Sequence, residues 1–211
     1  MSDSKFKSRV LYAIRKEKES SFNENKYYCD EGSGVYITPV TVDSCQRLID
    51  PLTKWRSNNQ HGFTKFFKVT TEGTEKWIYS ALQDREDRIL FIVFDKDKKM
   101  IGHLGVSTFD FENESCEIDN VVRGEVSCQR NIMYLASKIL LNWIDERIRP
   151  RNILLRVLNN NVRALYLYHR LGFVPYGLEP LEKVEAKDEI EWVSLRKGKI
   201  DLFYIKMIYS S

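Results

Sequence analysis

The stretch NNNVRALYLYHRLGF, residues 159–173, carries both of its own boundaries. Asn161 stands at a helix N-cap position, where its short side chain can accept from the orphan N–H groups of a first turn. Gly172 stands where the chain must leave the helix through a left-handed conformation. Between them Ala164, Leu167, Tyr168 and Leu171 fall at the i, i+3, i+4, i+7 spacing of one helical face. An aliphatic residue would pack on that face without needing a polar partner, yet one of the four is a tyrosine. What the Tyr168 hydroxyl does is the question this sequence poses. Tyr166 faces away from the stripe and reads as surface.

The apolar run ILLRVL (153–158) precedes this helix as a strand, and FVPYGL (173–178) follows it as another. Upstream, residues 129–147 predict a long helix with Ile132, Ala136, Ile139, Leu140 and Trp143 turned inward. ILFIVF (89–94) is apolar on both faces, as a central strand is. DKDKK (95–99) is a tight charged turn, and residues 100–111 and 114–125 then predict an antiparallel hairpin. Earlier still come a strand at 34–41, a helix from 42 capped by Asp43 or Ser44, and a helix at 71–84 capped by Thr71 or Thr74. After residue 178 a charged insertion (179–199) leads to a final strand at 200–209. Residues 4–19 predict a short helix with Phe6, Val10 and Ile14 on one side, followed by a polar linker. The expected organisation is an N-terminal helical extension and linker (1–33) and one main domain (34–211). The fold class is mixed α/β, a largely antiparallel central sheet flanked by helices with one strand–helix–strand crossover. It is not a doubly wound dinucleotide-binding fold.

With 211 residues and 43% hydrophobic content, the chain can bury a sizeable core. Its 33 basic and 30 acidic residues leave a formal charge of +3, which argues against a nucleic-acid partner, since such proteins carry a strong basic excess. Cys29, Cys45, Cys116 and Cys128 are scattered with no C-x-x-C pair, so neither a disulfide framework nor a metal site is expected. The longest apolar run is too short to span a bilayer and the N-terminus lacks a signal-peptide core, so no membrane partner is expected and the reading is cytoplasmic.

That element order, NVVRGE (120–125) ahead of the long helix, and the pattern N-x-x-A-x-x-L-Y-x-x-x-G-F from Asn161 to Phe173 together resemble the GNAT superfamily of acyl-CoA-dependent N-acyltransferases. The likeness runs from about residue 35 to 178 and is firmest over 89–175. It implies a V-shaped opening between two central strands, with acyl-CoA lying in it as co-substrate. The pantetheine arm would pair with the exposed backbone of Asn120, Val121, Val122 and Arg123 as an added strand does, with Val122 N–H the leading candidate to face the thioester oxygen. The pyrophosphate would sit at the N-terminus of the long helix. There the family's glycine-bearing loop is replaced by VSCQRN (126–131), with Gln129 and Asn131 at the glycine positions. Asn131 tolerates the left-handed conformation a glycine would adopt, and Arg130 brings positive charge. The departure also leaves open a non-catalytic CoA-binding relative. Asn161 reads as a cap that also touches the CoA arm.

The chemistry implied is attack of a neutral amine on the thioester, with removal of the amine proton, support of the oxyanion and protonation of the sulfur. In many members the tyrosine of the helical pattern gives the last proton, here Tyr168; the competing reading is a core tyrosine bonded to backbone. A phenol of pKa about 10 needs help from position and environment to do this. If the hairpin loop is 111–115, Phe109 lies across from Glu117, Ser107 from Asp119, and His103 from Arg123. One face then carries His103, Ser107, Glu117 and Asp119, and the other Leu104, Val106, Ile118 and Val122. That polar stripe either lines a cavity or is a solvated sheet face. On the first reading Glu117 or Asp119 is the general base, with His103 third. The acceptor side would include Trp55, His61, Phe63, Phe66 and Phe67. Together with the insertion these resemble bacterial members that acylate the amine of nucleotide-linked amino sugars, with acetyl or slightly larger, sometimes hydroxylated, groups. The alternatives are protein N-termini or polyamines as acceptors. A homodimer is expected from family habit and the N-terminal helix.

Overall fold

The computed structural model describes residues 2–28, 32–187 and 189–210, so Cys29 lies outside the described residues. Five helices and ten strands follow in the order α1 (Ser2–Lys18), β1 (Tyr27–Tyr28), β2 (Tyr36–Pro39), α2 (Cys45–Asn58), β3 (Lys65–Phe67), α3 (Thr71–Trp77), β4 (Ile89–Phe94), β5 (Met100–Asp110), β6 (Ser115–Arg123), α4 (Ile132–Trp143), β7 (Asn152–Leu158), α5 (Val162–Leu171), β8 (Phe173–Ala186), β9 (Glu189–Ser194) and β10 (Leu202–Tyr209). Short 3-10 turns and π-type turns link or extend several of the helices.

The strands form one sheet in the order β1-β2-β4-β5-β6-β7-β10-β8-β9-β3. Every neighbouring pair is antiparallel except β6 and β7, which α4 connects; α5 makes a second crossover, from β7 to β8 past β10. All six side chains of β4 are buried, because a strand apolar on both faces must be covered on both. Ile89, Phe91 and Val93 share a cluster with Phe6, Val10 and Ile14 of α1, Ala136, Leu140 and Trp143 of α4, and Tyr168 and Leu171 of α5. Leu90, Ile92 and Phe94 join Leu48, Leu52 and Trp55 of α2 on the opposite face. The sheet is thus sandwiched between α1, α4 and α5 on one side and α2 and α3 on the other.

The apolar side of α1 is buried against the sheet as an extension packed on the main domain, and β1 joins the sheet upstream of Gly34. Two expectations change here. The cap of α3 is Thr70, whose side chain accepts from Gly73 N–H, rather than Thr71 or Thr74. The hairpin register is also displaced. Ser107 pairs with Glu117, Gly105 with Asp119, His103 with Val122 and Gly102 with Arg123. The cause is local: Thr108 and Asn120 adopt φ of 51° and 50° and bulge their strands, a device absent from a simple count around the loop. Beyond Asn120 the alternation inverts, so Val122 faces the α2 side rather than joining Leu104, Val106 and Ile118.

Candidate active site

Strands β6 and β7 pair only through Ser115 with Asn152, Cys116 with Ile153 and Glu117 with Leu154. Past these residues they diverge, and the facing backbone edges from Ile118 and Leu155 onward have no strand between them. A cavity of about 860 Å³ occupies this opening. It is lined by β6 from Glu117 to Arg123, by Arg156, Val157 and Leu158 of β7, by the start of α4, and by residues of α2 and α5. Because α4 and α5 lie on one face and α2 on the other, the cavity passes through the sheet.

On the α4 side the walls are largely backbone. Asn131 has φ 60°, the left-handed conformation expected of it. The first helical bond of α4 runs from Leu135 N–H to Asn131 O, so the N–H groups of Ile132, Met133 and Tyr134 have no partner within the helix. With the helix dipole they make this end of the cavity favourable to an anion. Arg170 of α5 stacks on Tyr134 at 4.1 Å and donates to Asn131 Oδ1 at 2.8 Å, adding a cation beside those amides. Arg163 lines the same region. Asn161 caps α5 by accepting from Ala164 N–H at 3.3 Å and also lines the cavity. Gln129 and Arg130 do not line it. The Gln129 side chain instead donates to Ser33 O at 2.7 Å and braces the loop against the neighbouring turn, while Arg130 is exposed.

Register also reassigns one backbone group. Gly124 N–H donates to Ile101 O, and Val122, two residues earlier on the same strand edge, is paired with His103. By alternation the N–H and C=O of Val122 turn toward β5, and those of Val121 and Arg123 face the opening. A Cβ on Gly124 would meet the Trp55 ring at 2.1 Å, so the glycine of NVVRGE lets the indole lie against the strand end.

Tyr168 also lines the cavity, 8% exposed and edge-on to Phe173 with ring centroids 6.0 Å apart. Among the described residues its hydroxyl has no hydrogen-bond partner, although a tyrosine packed purely for the core would find one. Burial raises its pKa above the usual phenol value, and nearby Asp119 adds to this. Asp119 Oδ2 accepts from Arg88 Nη2 at 2.5 Å and from Ser107 Oγ at 2.8 Å, while its Oδ1 is buried without a partner. Glu117 is held by Arg156 Nε at 2.8 Å. Both carboxylates line the cavity; His103 does not. It is buried against Trp55, its Nδ1 lies 2.7 Å from Asn120 O, and burial pushes its pKa down to about 4, helped by the Arg56 charge. The structure therefore gathers Tyr168, Asp119 and Glu117 at one opening and sets His103 behind it.

The α2 side is built from charged side chains and rings. Arg56 stacks 3.5 Å from the Phe63 ring centroid and donates to Lys65 O at 2.7 Å. Its other terminal nitrogen, Nη1, is buried with no acceptor, and burial pushes its pKa down to about 10. Arg156 lies over Tyr204, whose hydroxyl meets Thr64 Oγ1 at 3.2 Å and so ties β10 to the segment before β3. Of the aromatic residues expected here, His61 and Phe63 line the cavity; Trp55 is buried beneath, and Phe66 packs on Trp192 outside it. Sequence reasoning passed over Arg56, Arg88, Arg156 and Tyr204. Arg56 and Arg88 sit in unremarkable polar contexts and Tyr204 in an ordinary apolar strand; only Arg156, an arginine within the apolar strand ILLRVL, offered a signal.

The GNAT acetyltransferase domain family matches residues 37–174. The chain belongs to that family. It carries an acetyltransferase domain of GNAT fold. A ribosomal L7/L12 alpha-N-protein acetyltransferase in complex with coenzyme A is similar in structure, with a TM-score of 0.65 and 15% identity over 88% of this chain and 98% of that one. A spermidine N-acetyltransferase from Vibrio cholerae, in complex with CoA and spermine, gives 0.63 and 16% over 83% and 94%. An uncharacterized protein of Methanocaldococcus jannaschii is 26% identical over 175 residues, 80% of this chain. This GNAT chain spans about a third of that relative's length, 33%. No helix among the described residues is long and apolar enough to cross a membrane.

Proposed function

We propose that this GNAT enzyme transfers an acetyl or short acyl group, hydroxylated in some cases, from acyl-CoA to the amine of a nucleotide-linked amino sugar. The observation that supports the acceptor is the charge balance of the α2 side. Among the described residues only Glu117 and Asp119 supply carboxylates to the cavity, and each is already paired with an arginine. A polyamine needs unneutralised acids, whereas a compartment with spare guanidinium and stacking rings suits phosphate and a base.

On the donor side the cavity residues fit acyl-CoA, which supplies the activated acyl group. The exposed edge of β6 from Asn120 to Arg123 receives the pantetheine arm, with Val121 or Arg123 N–H replacing Val122 as the oxyanion donor. The free amides of Ile132 to Tyr134, with Asn131 holding the turn and Arg170 alongside, receive the pyrophosphate. Asn161 contacts the arm from the cap of α5. Tyr168 donates its proton to the departing sulfur; burial raises the phenol's pKa, and the same burial makes the leaving thiolate a stronger base, so the two shifts act together. Glu117 or Asp119, the two carboxylates that line the cavity, takes the amine proton directly or through a water. The left-handed Asn131 makes the turn without glycine, which supports the catalytic reading over a non-catalytic relative.

The test is CoA thiol release with acetyl-CoA and short hydroxyacyl-CoAs against nucleotide-linked amino sugars, polyamines and peptides, each with a no-acceptor control. Release with the amino sugar nucleotides alone is the expected result. Release only with peptides or polyamines overturns the acceptor assignment.

A further inference from the structure

Among the described residues, the α2 side of the cavity holds one cation that no carboxylate answers. Arg88 is tied to Asp119, Arg156 to Glu117, and Lys65 to Glu189. Arg56 has only the Lys65 carbonyl, at Nη2. Its position is nevertheless fixed. It leaves the last turn of α2, lies flat on Phe63 and reaches toward Phe67 at 5.2 Å. Holding a desolvated guanidinium still without a counter-ion is unfavourable, and a buried donor such as Nη1 without an acceptor adds to the cost. Burial lowers its pKa with no opposing acid nearby, yet at about 10 it stays charged at neutral pH. Such an arrangement persists most readily where the missing acceptor arrives with a ligand.

We infer that Arg56 is the specificity-determining anchor for an acidic group, phosphate or carboxylate, carried by the amine acceptor. This rests on the proposed reading of the α2 side as the acceptor compartment. Arg56 lies across the sheet from the free amides of α4, so the phosphates of CoA have their own site. An acid bound at Arg56 places the acceptor on the side from which Asp119 faces the opening. The enzyme then selects amines that also carry an acid and rejects polyamines of equal length. The planar guanidinium, held against Phe63, favours a bidentate acid over a point contact.

The test is titration of two probes, inorganic pyrophosphate and glutarate, into the protein already saturated with CoA, so that the α4 site is filled. Wild type is expected to bind one of them. Arg56→Gln weakens that binding by about 10- to 100-fold, the loss expected for a charge-assisted hydrogen-bonded contact, with CoA affinity unchanged. Arg56→Lys retains part of it, and carries the test alone should Arg56→Gln not fold. Pyrophosphate as the preferred probe fits a nucleotide-linked acceptor. A preference for glutarate keeps the Arg56 anchor and moves the acceptor to amino acids, contradicting the nucleotide-sugar reading alone. Binding of neither probe, or equal binding by wild type and Arg56→Gln, overturns the inference.

Discussion

The two ends of this cavity are made of different material. On the α4 side the binding groups are main-chain amides: the free edge of β6 and the first turn of α4, with Asn131 supplying the conformation that aims them. On the α2 side they are side chains from distant segments: Arg88 paired with Asp119, Arg156 paired with Glu117, and Arg56 bonded only to the Lys65 carbonyl. A backbone site depends on where the chain bends, and many sequences can bend there. A side-chain site depends on each residue. Residues of the α2 side should therefore govern which amine is accepted, while the α4 side serves a co-substrate common to the family.

Tyr168 lines the same cavity, and its loss gives the largest effect. Tyr168→Phe removes the proton donor while keeping the ring on Phe173. Turnover should fall by about 10²- to 10⁴-fold, the usual range for a positioned acid, with CoA affinity unchanged. Parallel kinetic and CoA-binding measurements check this. Unchanged turnover would remove Tyr168 from the chemistry, and an equal loss of CoA affinity would make it a packing residue of the donor side.

The same division explains what could be read from the sequence. The helix around Tyr168 was legible because cap, stripe and exit glycine lie within one short stretch, and all three appear where expected. β4 and α4 were legible from their apolar patterns. The donor site follows from such elements, since strand edges and helix ends come with them. The hairpin register did not, because Thr108 and Asn120 bulge their strands, and a threonine gives no signal of the positive φ that Thr108 adopts. The loop at 126–131 was misread in part: Asn131 turns as expected, but Gln129 holds Ser33 O instead of facing the cavity. Arg56 and Arg88 could not be found by pattern, because what distinguishes them is the partner each has or lacks in space.

His103 gives a smaller effect. It belongs to neither binding surface and is buried neutral beneath the α2 side. Its folded pKa lies below the unfolded value of 6.5, so the unfolded chain takes up the proton first as pH falls. Stability is complete above about pH 7 and declines from 6.5 toward 4, by up to roughly 3 kcal/mol for a shift of this size. Denaturant melts across that window check it, and His103→Gln should flatten the slope without changing the pH dependence of turnover near neutrality. An altered turnover profile near neutral pH would return His103 to the list of bases.

The separation of the two ends is tested most directly by hydrogen exchange on the intact protein with and without saturating CoA. Slower exchange is predicted in peptides covering residues 120–123 and 131–135, with residues 56–67 unchanged. Protection centred on 56–67, or none at 131–135 under saturation, would contradict a donor site built from the β6 edge and the first turn of α4.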